Sequence, residues 1–257
     1  MSASTTLSVA AATNRHRRQK LLEWLDEEGQ DRLARSTVLI ARTGGLGGPL
    51  AQSLAVAGVG RIVLFHEGEL LDEDLHRMIL MDPRGVGLPR APQAVETLRR
   101  LGRPELRVEG FAHRISPDEA ADWMREADLA VGAAPTYEER LTLNDAALAA
   151  GKPFVDAAMY ADETHVLCVK PGETACLRCL VPDPPPWRPD FPVLAAVSAL
   201  VGNLAASLCI RILAARGHVP WGELVHLDVD RLELTKVRLP RRAECSACAA
   251  VPSGASR

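Results

Sequence analysis

TVLIARTGGLGG, residues 37–48, begins as an apolar, β-branched run and ends in a glycine-rich turn. A helix-like segment, PLAQSLAVA (49–57), follows it. Strand, tight glycine turn and helix in that order is how α/β proteins present backbone N–H groups to a nucleotide phosphate. Arg42 breaks the pattern. A bulky cation stands where the first glycine of a G-x-G-G-x-G loop belongs.

Outward from that turn, strand-like apolar runs alternate with helix-like segments. The strand candidates are Thr37–Ala41, Arg61–Phe65, Leu106–Phe111, Leu129–Gly132, Pro153–Ala157 and Thr164–Val169. The helices between them are Gly47–Ala57, Ala91–Leu101, Pro117–Glu126 and Tyr137–Ala150. This alternation predicts an α/β fold with a doubly wound, mostly parallel, Rossmann-like sheet. Ligands on such sheets sit at the carboxyl ends of the strands, so chemistry is expected in the loops after Ala41, Phe65 and Gly132. An N-terminal helix is expected over Arg15–Ala34, with Leu21, Leu22, Leu25 and Leu33 as its apolar face. Six of the eleven residues in Pro182–Pro192 are proline, which marks an extended linker. A long apolar helix, Val193–Ala215, and two strands, Glu223–Val229 and Glu233–Val237, complete the order. The chain divides into a disordered tail (1–13), one domain (14–249) and a second short tail (250–257).

Composition narrows the function. A chain of 257 residues suffices for one large domain with its own core. At 47% apolar residues it is not a disordered chain. A formal net charge of -3 gives no electrostatic case for nucleic acid. No apolar run approaches the ~20 residues of a membrane span. The first twenty residues place their basic charges after the apolar part, unlike a signal peptide, so the expected compartment is the cytoplasm.

Four of the six cysteines form two pairs, Cys176-Leu-Arg-Cys179 and Cys245-Ser-Ala-Cys248. Two residues between thiolates let both sulfurs approach one ion at ~2.3 Å, and two such pairs complete a tetrahedral zinc site. The 65 residues between the pairs require folding to bring them together. Four thiolates leave no open position, so such a zinc is structural. The alternative is two redox-active or merely exposed pairs. Cys168 and Cys209 lie in apolar surroundings and are expected in the core.

These features converge. The chain resembles the adenylyltransferases of the ThiF/MoeB/HesA type, which activate sulfur-carrier proteins for thiamine and molybdopterin synthesis and are relatives of the ubiquitin-activating enzymes. The resemblance is carried by RHRRQKLLEWLDEEGQDRL (15–33), VLIARTGGLGGPLAQSLAVAGVGRIVL (38–64), RLTLNDAALAAGKPFVDAA (140–158), CLRCLVPDPPP (176–186) and CSAC (245–248). It implies binding of ATP with magnesium and transfer of AMP to the C-terminal carboxylate of a small carrier protein or peptide. It also implies a homodimer, in which Arg18 of Arg15-His-Arg-Arg18 reaches the partner subunit's site.

Residue by residue, the resemblance is selective. Gly44, Gly45 and Gly47 keep the phosphate cradle, and Arg42 replaces its first glycine. The acidic residue that holds the ribose falls at His66, with Glu67 beside it. The family's Asn-x-x-Arg appears as Asp74-Leu-His-Arg77, and its following lysine as Arg90. The magnesium aspartate of D-N-x-x-x-R falls at Pro135, while Arg140 is kept and Glu138 and Glu139 lie one turn late. The crossover loop WRPDFPVLAAVS (187–198) has no cysteine for a thioester. Arg18, Arg77 and Arg90 are therefore the candidate catalytic cations. Arg42, Gly44, Gly45, Gly47, His66, Glu67 and Asp74 are the candidate cofactor-binding residues. Removing a preorganised charge typically costs ~10²-fold or more in rate. The expected protein is a divergent member, in effect a pseudoenzyme, that docks a carrier or peptide tail with adenylation weakened or lost. The alternatives are an active adenylyltransferase with relocated acids and an NAD- or FAD-binding oxidoreductase. Arg42 itself is expected either as an exposed turn residue or inside the phosphate region, binding an anion or filling the space.

Overall fold

Every residue of Thr37–Ala41, the first strand (β1), is buried, as a central parallel strand covered on both faces must be. The structure is a computed structural model, which describes residues 15–249 and 251. Helix α1 (Glu27–Arg35) precedes β1. After it come α2 (Gly47–Ala57), β2 (Arg61–Phe65), α3 (Arg90–Leu101), β3 (Arg107–Phe111), α4 (Pro117–Met124), β4 (Leu129–Gly132), α5 (Tyr137–Ala149), β5 (Phe154–Tyr160) and β6 (Glu163–Val169). The short α6 (Leu177–Leu180), the long α7 (Ala195–Ala214), β7 (Glu223–Asp228) and β8 (Glu233–Arg238) end the order.

The eight strands make one sheet in the order β3-β2-β1-β4-β5-β6-β7-β8. The first five are parallel, and β6, β7 and β8 are antiparallel. Strand order reverses between β1 and β4, and Ala41 pairs level with both Phe65 and Gly132. The carboxyl ends of β1, β2 and β4 therefore open on one cleft, at the switch point where such sheets bind ligands.

Alternation along β1 divides the core. Val38 and Ile40 pack with Leu50 and Leu54 of α2, Leu98 of α3 and Val201 of α7. Leu39 and Ala41 pack on the other face with Met124 of α4 and Leu143 of α5. Helix α7 is long and apolar enough to span a bilayer by length and composition, unlike the expectation that no run approaches that length. Here Val197, Val201, Ala205 and Cys209 are core, while Leu200 on the same helix is exposed. Gly202 explains how closely it lies on α2: a Cβ there would sit 2.3 Å from Leu46 O.

One expected element is broken. The helix drawn over Arg15–Ala34 is instead a 3-10 turn at Gln19–Leu21 and the separate α1. Asp26 is extended and its carboxylate accepts from Gly29 N at 2.8 Å, so it caps α1 and stops any helix from running through it. Leu25 and Leu33 are buried as expected, but Leu21 is 71% exposed and Leu22 also faces solvent. The proline-rich linker is extended, with Ala161 N donating to Pro192 O at 3.2 Å. The two tails lie outside the described residues, apart from Val251.

Candidate functional site at the strand ends

Arg42 ends β1 with a φ of 71°, the left-handed conformation that favours glycine. A side chain there costs roughly 1–2 kcal/mol of backbone strain. The turn that follows is tight: a Cβ on Gly47 would lie 2.0 Å from Arg42 O, so only glycine fits. Gly44 and Gly45 complete the loop ahead of α2.

The Arg42 side chain is neither exposed nor free. Its Nε donates to Glu139 Oε1 at 2.7 Å and its Nη2 to Glu139 Oε2 at 3.0 Å, a bidentate fork. Nη2 also donates to Glu67 Oε1 at 2.5 Å. Glu139 is 1% exposed and takes a further bond from Thr136 Oγ1 at 2.9 Å. It stands in the first turn of α5, directly after β4, so the switch-point cleft is spanned by one ion pair. Glu67 is shared with Arg114 at 3.0 Å, and Arg114 reaches Glu138 at 2.9 Å. The hydrogen bond from Arg42, opposed by partial burial and reinforced by Arg114, holds the Glu67 carboxyl below its ordinary range.

His66 is buried beside this pair. Its Nδ1 lies 3.1 Å from Thr43 Oγ1, and Thr43 N donates to it at 3.4 Å. Burial, with the charges of Arg42 and Arg90, brings its pKa down to about 3, so the ring is neutral. A neutral, enclosed imidazole offers no negative charge to ribose hydroxyls.

Asp74 is buried between Arg77 (Nη2 to Oδ1, 2.9 Å) and Arg90 (Nη2 to Oδ2, 2.5 Å). One strand further, Arg140 is buried against Asp156, with Nε to Oδ1 at 2.7 Å. His165 Nε2 lies 3.2 Å from Asp156 Oδ2, and the Arg140 guanidinium stacks 4.6 Å from the Tyr137 ring. Burial works against the Asp156 carboxylate, yet Arg140 and His165 hold its pKa at about 2.

Folding thus gathers Arg42, Gly44, Gly45, Gly47, His66, Glu67, Asp74, Arg77 and Arg90 around one cleft. It does not bring Arg18 there. Gln19 donates to Ala57 O at 2.9 Å, which places the Arg15–Lys20 segment at the far end of α2. An eleven-residue helix is about 16 Å long, so the exposed Arg18 stands that far from the loop. Sequence reasoning left Glu139 one turn late and made nothing of Arg114, Asp156 or His165.

The cysteines form a second centre. The sulfurs of Cys176, Cys179, Cys245 and Cys248 all lie within 4.8 Å of one another. Cys176 Sγ is 3.7 Å from Cys245 Sγ, and Cys179 Sγ is 3.4 Å from Cys248 Sγ. Four sulfurs placed tetrahedrally ~2.3 Å from one ion stand about 3.8 Å apart, so the cluster fits a metal ion. Burial opposes the Cys245 thiolate, but the N–H groups of Cys248 and Ala247, together with hydrogen bonds from the Cys248 and Cys176 side chains, lower its pKa to about 7. Arg242 N points at Cys179 Sγ from 3.4 Å. Cys168 and Cys209 are buried in the core, and burial pushes the Cys168 thiol up to about 12.

A profile of the ThiF family matches residues 16–247. The chain belongs to the ThiF family. Protein HesA of Leptolyngbya boryana is 39% identical over 235 residues, spanning 91% of this chain and 84% of that protein. A sulfur carrier protein adenylyltransferase of Thermus thermophilus is 33% identical over 250 residues, spanning 93% and 92%. Among solved structures, E. coli MccB with MccA-N7isoASN superposes with a TM-score of 0.80 at 21% identity, over 92% of this chain and 74% of that one. That likeness concerns the fold. With the ThiF family established, the nucleotide-enzyme alternative built on NAD or FAD falls away, and the sheet, glycine loop and cysteine cluster belong to one scaffold.

Proposed function

We propose that this ThiF-family chain docks the C-terminal tail of a small sulfur-carrier-like protein or peptide at the carboxyl edge of its sheet, with ATP-dependent adenylation weakened or lost. The Arg42–Glu139 pair carries the proposal. The cation nearest the glycine loop is bound to a buried carboxylate, and the carboxylate nearest the vacated magnesium position is bound to that cation. Opening the pair leaves a buried charge without its partner, a loss on the order of 3–5 kcal/mol. The neutral His66 and Pro135 remove the two acids that would repay it. A carrier or peptide guest is supported by the Thermus relative, whose name specifies a sulfur carrier protein, and by the MccB structures that hold MccA. The cysteine cluster holds one structural zinc ion. Two copies associate so that the exposed Arg18 of each serves the other, and the protein works in the cytoplasm.

One observation favours the alternative of an active adenylyltransferase. Glu67 is partly exposed and Glu139 faces the loop, so rotation of Arg42 out of the cleft frees two carboxylates there. Calorimetric titration with magnesium ATP separates the two. The docking proposal expects no binding by the wild-type chain, and binding for Arg42→Gly paired with Glu139→Gln. Wild-type binding tighter than about 100 µM, joined to pyrophosphate exchange with a Gly-Gly-ended peptide, establishes the active enzyme instead.

A further inference from the structure

Arg77 and Arg90 share a single acceptor group, the carboxylate of Asp74. Both oxygens of that carboxylate are in use: Oδ1 accepts from Arg77 Nη2, and Oδ2 from Arg90 Nη2 and from Leu71 N at 3.1 Å. Arg90 Nε is nevertheless buried with no acceptor. A buried donor without a partner costs about 1–3 kcal/mol, so the Arg90 guanidinium is short of one oxygen atom, whereas Arg77 Nη1 also donates to Glu73 O at 2.8 Å. They also sit at the loop. A Cβ on Gly45 would lie 3.1 Å from both Cβ and Cγ of Arg77, and Arg90 N donates to Gly68 O in the turn after β2.

We infer that Asp74 is a built-in anion seated between two arginines beside the glycine loop, and that its presence makes the cleft refuse polyphosphate. Paired guanidinium forks bind carboxylate and phosphate oxygens by the same geometry. A carboxylate tethered three residues from Arg77 competes for them as an intramolecular ligand. It also adds a negative charge where a polyphosphate would bring its own. Asp74 is thus a specificity-determining residue: with it the seat carries a negative charge of its own, and without it two arginines stand beside the loop with no counter-charge from this carboxylate.

The inference rests on the proposed closed cleft but on different side chains, so the two can fail separately. The probe is inorganic pyrophosphate, titrated calorimetrically into the full chain. Asp74→Asn keeps an oxygen for Leu71 N and removes the charge. Asp74→Ser removes the charge with a smaller group and stands in where the asparagine variant does not fold. The expected result is pyrophosphate binding at least about tenfold tighter than wild type in either variant, abolished when Arg90→Gln is added. Wild-type binding as tight as that of the variants, or no gain in a folded variant, overturns the role of Asp74. Magnesium ATP binding by the wild-type chain overturns this inference together with the closed cleft, whereas no gain in a folded Asp74 variant overturns this inference alone.

Discussion

The cysteine cluster and the strand-end cleft are assembled by the same sheet and end in opposite states. At the cysteines, four groups of like chemistry converge in an arrangement that could hold a metal ion. At the cleft, groups of opposite charge converge and satisfy one another: Arg42 with Glu139 and Glu67, Arg77 and Arg90 with Asp74, Arg140 with Asp156. Crowding like groups creates a demand for a guest. Crowding complementary groups removes it.

The contrast breaks most easily at the cysteines. If they hold zinc, Cys245→Ser or a strong chelator removes a contribution on the order of 10 kcal/mol and causes a large fall in Tm. Elemental analysis of protein purified without chelator is expected to return one zinc per chain. A Tm indifferent to chelation dissolves the comparison. The next effect belongs to the cleft side. Asp156→Ala leaves Arg140, itself almost fully buried, without its counter-charge, and is expected to destabilise by about 3–5 kcal/mol in urea unfolding. A loss under about 1 kcal/mol means that the cleft charges do not depend on one another.

The smallest effect per step measured is a pH slope, which sharpens the comparison. Folded His66 stays neutral down to about pH 3, whereas in the unfolded chain it protonates near 6.5. Between those values the unfolded chain binds the extra proton, so stability falls as pH falls, by up to about 1.4 kcal/mol per pH unit. Asp156, held at about 2, adds its own loss only below about pH 4. His66→Gln is expected to flatten the Tm profile between pH 6.5 and 4. A variant profile as steep as the wild type removes His66 from the cleft's electrostatics.

What the sequence disclosed follows from the range of the interactions. Strand and helix positions were legible because apolar periodicity and the glycine turn act over a few residues, and β1, α2, β2 and β4 fall where those signals place them. The N-terminal segment is less legible because the leucines of 21–33 suggest one face, while Asp26-Glu27-Glu28 is a capping signal that divides it. The four cysteines were legible despite their separation because two Cys-x-x-Cys pairs have few other uses. The partner of Arg42 was not. Glu139 is 97 residues away, and nothing local ties a helix-start glutamate after β4 to a turn after β1. Asp156 and His165 were hidden in the same way, since only the β5–β6 hairpin register sets their strands side by side.

The φ of 71° at Arg42 decides what a substitution there asks of the main chain. The backbone of the turn keeps a glycine's conformation beneath an arginine's side chain. Gly47 still passes beneath Arg42 O at a distance that only glycine allows, while Arg42 N, Thr43 N and Gly48 N donate to Phe65 O, His66 Nδ1 and Gly44 O. Exchanging Arg42 for glycine therefore asks for no rearrangement of the main chain, only the loss of one side chain and its ion pairs.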